Sequence, residues 1–464
     1  MEWHATWEEP FTAYLQHFDS LIGDARTRTT FSETVKGIIA AGSVVCQRIA
    51  AQSPVFAAVH NGAQRILRLL KGESITRSPH LDAEHLTAKL RTQAVEQLGC
   101  ASSDELWLIA DGSDLRKPYA HALPHLMRVK ALDGQLVNGY RTLTVLGITP
   151  KQRGILYHRL WSSQEPGFVS EPHEVQQALT TVSQAIAPLK PRMTVTWIVD
   201  REFDDVAVWR TIWEQNEHVV CRVKHTERLI RYQDRHGIWR EGDIATARRH
   251  VRRLGQAETM MVVQRGRQKH PKAQRVPVEL WACPIQLRYD TNVRRPGEPA
   301  PAEQALWLVD VRLRDTKLDP WLLVTDWAVG DAARALRIFR MYRQRWAVED
   351  SFKVSKECLG WEEVQVLNLR AIRMLVALAW VATGFLYDLG VTLEWAEVWL
   401  LARLGGWVPR KDRPPGKITL TRGLRRLLDM LATEATLRAY AAEQGGLPPK
   451  ITALLGGWQP REEL

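Results

Sequence analysis

Apolar positions recur at helical spacing through the first hundred residues, in runs such as FSETVKGIIAAGSVVCQRIA and AAVHNGAQRILRLL, with the turn-forming stretches QSP and KGES beside them. The pattern predicts a small helical N-terminal domain over residues 1–100. The period then changes. LWLIAD (106–111), YRTLTVLGIT (140–149) and GILYHRLWSS (154–163) read as strands joined by turns containing Gly and Pro, and three strands in succession predict an antiparallel start. A helix at 174–189, a buried-type strand VTWIVD at 195–200, a helix around VAVWRTIWEQ and a strand HVVCRVK at 218–224 follow. The order βββαβαβ over 101–225 is that of an α/β core.

After His225 the pattern loosens. The strand-like stretches VPVELWACPIQLRY and ALWLVDVRLR flank the loop RRPGEPAPAE, and together they predict a β-rich insertion over 226–318. The core is expected to resume over 319–390, with a strand WLLVTDW at 321–327 and a long helix from about 331 to 356. Residues 391–464 return to helical patterning, broken by VPRKDRPPGK, and on position alone are the expected place for subunit contacts. The longest apolar run, 374–387, is too short to cross a bilayer and predicts a buried helix. No secretory signal is visible in MEWHATWEEP, and five widely separated cysteines argue against both a disulfide framework and a zinc module. The expectation is a cytoplasmic protein with no membrane partner.

Charge changes this picture by its location. The net charge is +11, and residues 222–300 hold 18 Lys and Arg against 8 Asp and Glu, while residues 1–100 hold ten of each. Nearly all the basic excess therefore sits in the insertion, which points to a polyanionic partner there. The chain as a whole holds 19 tryptophans, most of them expected in the core, and aromatics among cations also suit base stacking.

One stretch of the long helix departs from an apolar stripe. In YRQRWAVEDSFKVSK (342–356), Tyr342, Arg345, Glu349 and Lys356 fall within about 60° of one another at the helical advance of about 100° per residue. A solvated surface accounts for charges at helical spacing. So does a face laid against a polyanion, with the lone carboxylate doing something else.

Two aspartates close buried-type strands, Asp111 after LWLIA and Asp200 after VTWIV. An ionised group there is expensive unless it is paired or bound to a cation. Capping the next turn is one role; with Glu349 as a third acid, the trio has the oxygen donors that hard divalent cations require. Asp114, Asp204, Asp205, Asp310 and Asp326 compete for the same role, and composition leaves the choice open.

The signature Y-x2-R-x3-E-x6-K in 342–356 resembles, spacing for spacing, that of bacterial insertion-sequence transposases of the DDE class, the YREK group that includes hairpin-forming cut-and-paste enzymes. WIVDREFDD is similar to the motif around the second catalytic Asp in that group, and ADGSDL to the first. The resemblance runs from about 106 to 387. It implies a ribonuclease-H-like catalytic core interrupted by a β-rich insertion, with helical N- and C-terminal regions. It further implies Asp111, Asp200 and Glu349 as a catalytic, metal-binding triad for Mg2+, with Mn2+ as substitute. Tyr342, Arg345 and Lys356 would then contact phosphates at the element's end, the two cations by charge and Tyr342 by a hydrogen bond. WLLVT at 321–325 resembles the strand before the signature helix in hairpin-forming members, where a tryptophan stacks on a flipped base; Trp321 holds that place, although a tryptophan in an apolar strand also belongs in a core.

The activity implied is a DNA transposase that cleaves phosphodiesters at transposon ends and joins them to target DNA, with a homodimer pairing the ends. A nuclease or resolvase without joining, and a non-enzymatic DNA-binding descendant, are the alternatives. Arg48, Arg65, Arg68 and Lys71 in the N-terminal helices are further DNA candidates, while His121 and His125 around Pro124 read as ordinary histidines.

Overall fold

A computed structural model of the chain describes residues 3–53, 55–56, 58–73, 78–131, 133–262, 273–288, 305–314, 316, 318–408 and 415–456. The N-terminal helices are α1 (Trp3–Gln16), α2 (Ala25–Ala41), α3 (Cys46–Ala51), α4 (Val59–Lys71) and α5 (Ala83–Gly99). Asp24 and Asp82 begin α2 and α5 by accepting the backbone N–H of Thr27 and His85, the N-cap role that short acidic side chains favour.

The strands that follow are β1 (Glu105–Arg116), β2 (Met127–Lys130), β3 (Leu136–Ile148) and β4 (Arg153–Trp161). Helix α6 (Glu171–Ala185) leads to β5 (Thr194–Val199), and α7 (Val206–Glu214) to β6 (His218–Arg222). β1 pairs antiparallel with β3, which pairs antiparallel with β4, whereas β1, β5 and β6 run parallel. The expected βββαβαβ order is therefore present, with the short strand β2 added at the far end of β3.

The insertion comprises β7 (Leu229–Gln233), β8 (Trp239–Asp243), α8 (Ile244–His250), β9 (Arg252–Val262), β10 (Ala273–Leu287) and β11 (Leu306–Leu313). Its strands do not make a separate sheet. β11 pairs with β12 (Trp321–Thr325), and β12 pairs antiparallel with β6, so one twelve-stranded mixed sheet runs through both parts. The edge that β12 would otherwise leave open is hydrogen-bonded by the insertion strand β11.

The chain continues through α9 (Ala332–Arg343), α10 (Trp346–Lys353), α11 (Leu369–Thr392), α12 (Trp395–Leu404), α13 (Lys417–Gln444) and α14 (Pro449–Leu454). Alternation along the strands divides the core between the two sheet faces. Leu106, Leu108, Ala110, Trp197 and Val199 pack with Leu179, Val182 and Trp209 of α6 and α7. Ile109, Ile198, Val220 and Leu323 face the other way, into a cluster with Phe339 of α9 and Trp380 of α11. Helix α11 corrects the expectation of a span too short for a bilayer: its 24 residues are long and apolar enough to cross one. In this fold 72% of its most apolar window is buried, and it packs against α2, α4 and α5.

Candidate functional site

Parallel register brings the two strand-end aspartates together. Ala110 of β1 lies beside Val199 of β5, so the next residues, Asp111 and Asp200, emerge side by side, one strand spacing apart. By alternation each shares the face of Ile109 and Ile198, the face that α9 and α10 cover. The sheet supplies two carboxylates; the helices supply what meets them.

What meets them is Arg345. Its Nη1 stands 3.0 Å from Asp111 Oδ2 and 3.6 Å from Asp200 Oδ2, and its Nη2 donates to Glu349 Oε1 one helical turn further on. Tyr342 completes the arrangement, its hydroxyl donating to Asp200 Oδ1 at 2.8 Å. Asp111, Asp200 and Glu349, separated by up to 238 positions in the chain, thus share one guanidinium.

The charge balance is uneven. Burial pushes the Asp111 carboxyl up to about 7, against the pull of Arg345, and the neighbouring Asp200, Glu202 and Glu349 push in the same direction as burial. Burial also works against ionised Asp200, but there Arg345 and the Tyr342 hydrogen bond outweigh it and hold the group below the usual aspartate range. Burial, helped by Asp200, raises the Tyr342 hydroxyl well above the normal phenol. Arg345 outweighs burial at Asp200, but at the more deeply buried Asp111 it does not.

The helix carrying these residues is not continuous from 331 to 356, as the pattern predicted. At Gln344 and Arg345 the backbone tightens to i→i−3 hydrogen bonds, Gln344 N–H to Met341 O and Arg345 N–H to Tyr342 O. Between Val354 and Cys358 it loosens into a π-turn. Overwinding and then underwinding separate the expected stripe. Lys356 swings to the edge of β1, where its Nζ donates to Asp114 O at 3.3 Å and pairs with Glu362 at 3.4 Å. Local winding departures of this kind are common at functional sites, and spacing arithmetic that assumes one constant advance per residue does not see them.

Trp321 is enclosed. It is 6% exposed, with Phe339, Tyr342 and Trp346 set edge-on around it and the Arg222 guanidinium 5.5 Å from its ring centre. Of its two readings the core role is the one this geometry displays, and no free ring face is offered to a base in this state. The neighbouring Trp346 is 40% exposed and adjoins Arg345, a placement that an apolar-stripe reading of the helix passes over.

The competing acids are all occupied elsewhere. Asp204 accepts from the backbone of Lys224 and His225 and pairs with Arg228, and Asp205 caps α7. Asp310, fully buried, pairs with Arg248 and Arg312, and Asp326 holds His218 and the Val219 N–H. Asp114 pairs with Arg141, which also reaches Glu171 and Glu202. Glu202 is the acid that motif reading missed; its signal was its place two residues after Asp200 in VDREFDD.

Other candidates sit away from the carboxylates. Arg48 pairs with Glu363, Arg65 donates to Thr30, and Arg68 and Lys71 both lie within 4.0 Å of Glu73. His125 lies 3.1 Å from the Gln164 carbonyl. Among the insertion arginines, Arg253 pairs with Glu279, Arg249 and Arg252 are exposed, and Arg265 and Arg267 lie outside the described residues.

Among the described residues no three His, Cys, Asp or Glu side chains are grouped tightly enough to share a metal ion as they stand. The donor set of Asp111, Asp200 and Glu349 is nevertheless all carboxylate oxygen, three acids gathered on one guanidinium. A divalent cation fits that chemistry, on condition that Arg345 gives up its central place.

No protein-family model matches the chain, and no curated protein matches it in sequence. Among solved structures it is similar to the piggyBac transposase in a cryo-EM synaptic complex with hairpin DNA, at 9% identity and a TM-score of 0.35. The likeness covers 71% of this chain and 54% of that one, so the chain matches about half the length of that protein.

Proposed function

We propose that the chain is a metal-dependent DNA transposase of the YREK group, built on a ribonuclease-H-like core. The observation that carries the reading is the convergence of Asp111, Asp200 and Glu349 on Arg345, inside a signature that specifies both Glu349 and Arg345. The strand order β4-β3-β1-β5-β6, antiparallel on one side of β1 and parallel on the other, supports it, because acids at the ends of adjacent central strands are where such a core does its chemistry.

In this reading Asp111, Asp200 and Glu349 hold Mg2+, for which Mn2+ can substitute. When bound, the ions activate a water or a 3′-hydroxyl and stabilise the leaving oxygen of a phosphodiester. Tyr342 orients Asp200 by its hydrogen bond. Arg345 supplies the counter-charge while the carboxylates lack metal, then turns its guanidinium to a DNA phosphate, for which its planar fork is suited. Lys356 neutralises a neighbouring phosphate near Asp114. The substrate is the DNA at the element's ends, paired by two copies of the chain, and the host compartment is the bacterial cytoplasm.

The test uses a supercoiled plasmid carrying the gene's flanking DNA, the full chain and Mg2+. Excised ends joined to new DNA support transposition. Hydrolysis without joining would leave a nuclease, and binding without cleavage would overturn the enzymatic reading.

A further inference from the structure

Four residues before Asp111, on the same face of the sheet, Trp107 lines a cavity of about 580 Å³. At the rise of a β-strand it is roughly 13 Å from the carboxylates. The turn between β3 and β4 forms one wall, the end of α11 another, and the first turn of α13 a third. Gln344, the residue before Arg345, reaches it from the tightened joint between α9 and α10.

Two properties set this cavity apart. Lys151, Arg153 and Lys417 all line it, and among the described residues no acid does. Trp107 Nε1, Gln152 Oε1 and Lys417 Nζ, three polar atoms of its lining residues, are buried without a hydrogen-bond partner. Buried donors are ordinarily satisfied, so Trp107 Nε1 and Lys417 Nζ, two unpartnered donors among the residues lining one space, leave room there for an acceptor.

We propose that this cavity binds a phosphate group, held by Lys417, Arg153 and the Trp107 indole N–H. Lys417 sits over the Tyr387 ring at 3.5 Å from its centre, so the aromatic face gives it partial compensation and no hydrogen bond. Burial and the neighbouring Arg153 drop its amine to about 6, with only Asp350 of α10 acting in the opposite sense. With its amine near 6, Lys417 is largely neutral at pH 7 without an anion beside it; an oxyanion there favours the protonated amine and accepts from it, from Arg153 and from the Trp107 indole N–H. Lys417 also opens α13, a 28-residue helix whose N-terminal end favours negative charge. The site rests on its own observations: among the described residues no hydrogen bond or ion pair joins its lining side chains to Asp111, Asp200 or Glu349.

The phosphate can belong to a DNA backbone or to a free phosphorylated molecule, and one experiment separates these. Inorganic phosphate is titrated into the full chain by calorimetry at fixed ionic strength, for the wild type, Lys417→Met and Arg153→Gln, with near-UV dichroism as the folding control. The expected result is a single saturable site in the wild type, weakened about tenfold to a hundredfold in either variant, as loss of a charged hydrogen bond implies. Duplex DNA that blocks phosphate binding identifies the backbone as the source. DNA that binds without blocking it identifies a free ligand. No saturable binding by the wild type, or unchanged binding in folded variants, overturns the site while leaving the transposase reading intact.

Discussion

Arg345 occupies the place of a counter-ion, and its removal should show that. Its side chain is 11% exposed, against 14% for Asp111 and 26% for Asp200, so the guanidinium shields carboxylates that water reaches poorly. Taking one partner from a buried charge group typically costs about 3–5 kcal/mol, because the others are left uncompensated. Arg345→Ala should therefore lower the unfolding free energy by that order at neutral pH, and Mg2+ should restore more stability to the variant than it adds to the wild type. Equal Mg2+ effects in denaturant titrations would mean that ion and arginine do not compete. A second consequence concerns pH. Asp111, with its carboxyl at about 7, binds its proton more tightly folded than unfolded. Its contribution to stability therefore falls as pH rises from the ordinary aspartate value of about 4 to about 7. A cation must displace that proton. Mg2+ affinity measured by calorimetry should climb by up to tenfold per pH unit below about 7 and level off above it; a flat profile from pH 5 to 8 would contradict the assignment.

At the scale of the element, the signature helix explains both what the sequence disclosed and what it hid. The strands that lead to Asp111 and Asp200 were legible because a short apolar run goes directly into an acid, and parallel register then makes the two acids neighbours. The tightened turn at Gln344 and the π-turn at Val354–Cys358 were not legible, because nothing in apolar periodicity reports a local change of winding. That is why Lys356 lies beside Asp114 and not in line with Tyr342. Trp321 was ambiguous for a different reason: strand position places an indole on a face, while only the packing of Phe339, Tyr342 and Trp346 shows whether that face is free. Trp321→Ala should cost about 3–5 kcal/mol, as for other large core aromatics, and should slow every step of DNA processing together. A folded variant of undiminished stability that loses only one late step would reassign the residue to DNA contact.

At the scale of the whole molecule, the twelve-stranded sheet joins the carboxylates to the insertion without a break, so the basic surface is held at a fixed position relative to the chemistry. Sequence composition located that surface but could not say which cations are spent internally. Arg248 and Arg253 are paired with Asp310 and Glu279, whereas Arg249 and Arg252 stand exposed. Each DNA phosphate they neutralise should contribute roughly 0.9 to the salt dependence of binding. Neutralising Arg249 and Arg252 together should flatten the slope of log affinity against log salt by up to about 1.8, and an unchanged slope would remove them from the DNA surface.

The central claim is that Asp111, Asp200 and Glu349 act as one unit on a phosphodiester. Asp200→Asn tests it most directly, since the change keeps the shape of the side chain and the Tyr342 contact while removing one negative charge. Its Mg2+-dependent cleavage of the flanking-DNA plasmid is compared with that of the wild type at matched occupancy of the DNA. The account predicts that the variant binds the DNA as well as the wild type and that its cleavage is abolished. Cleavage by the folded variant at a rate near that of the wild type would contradict it.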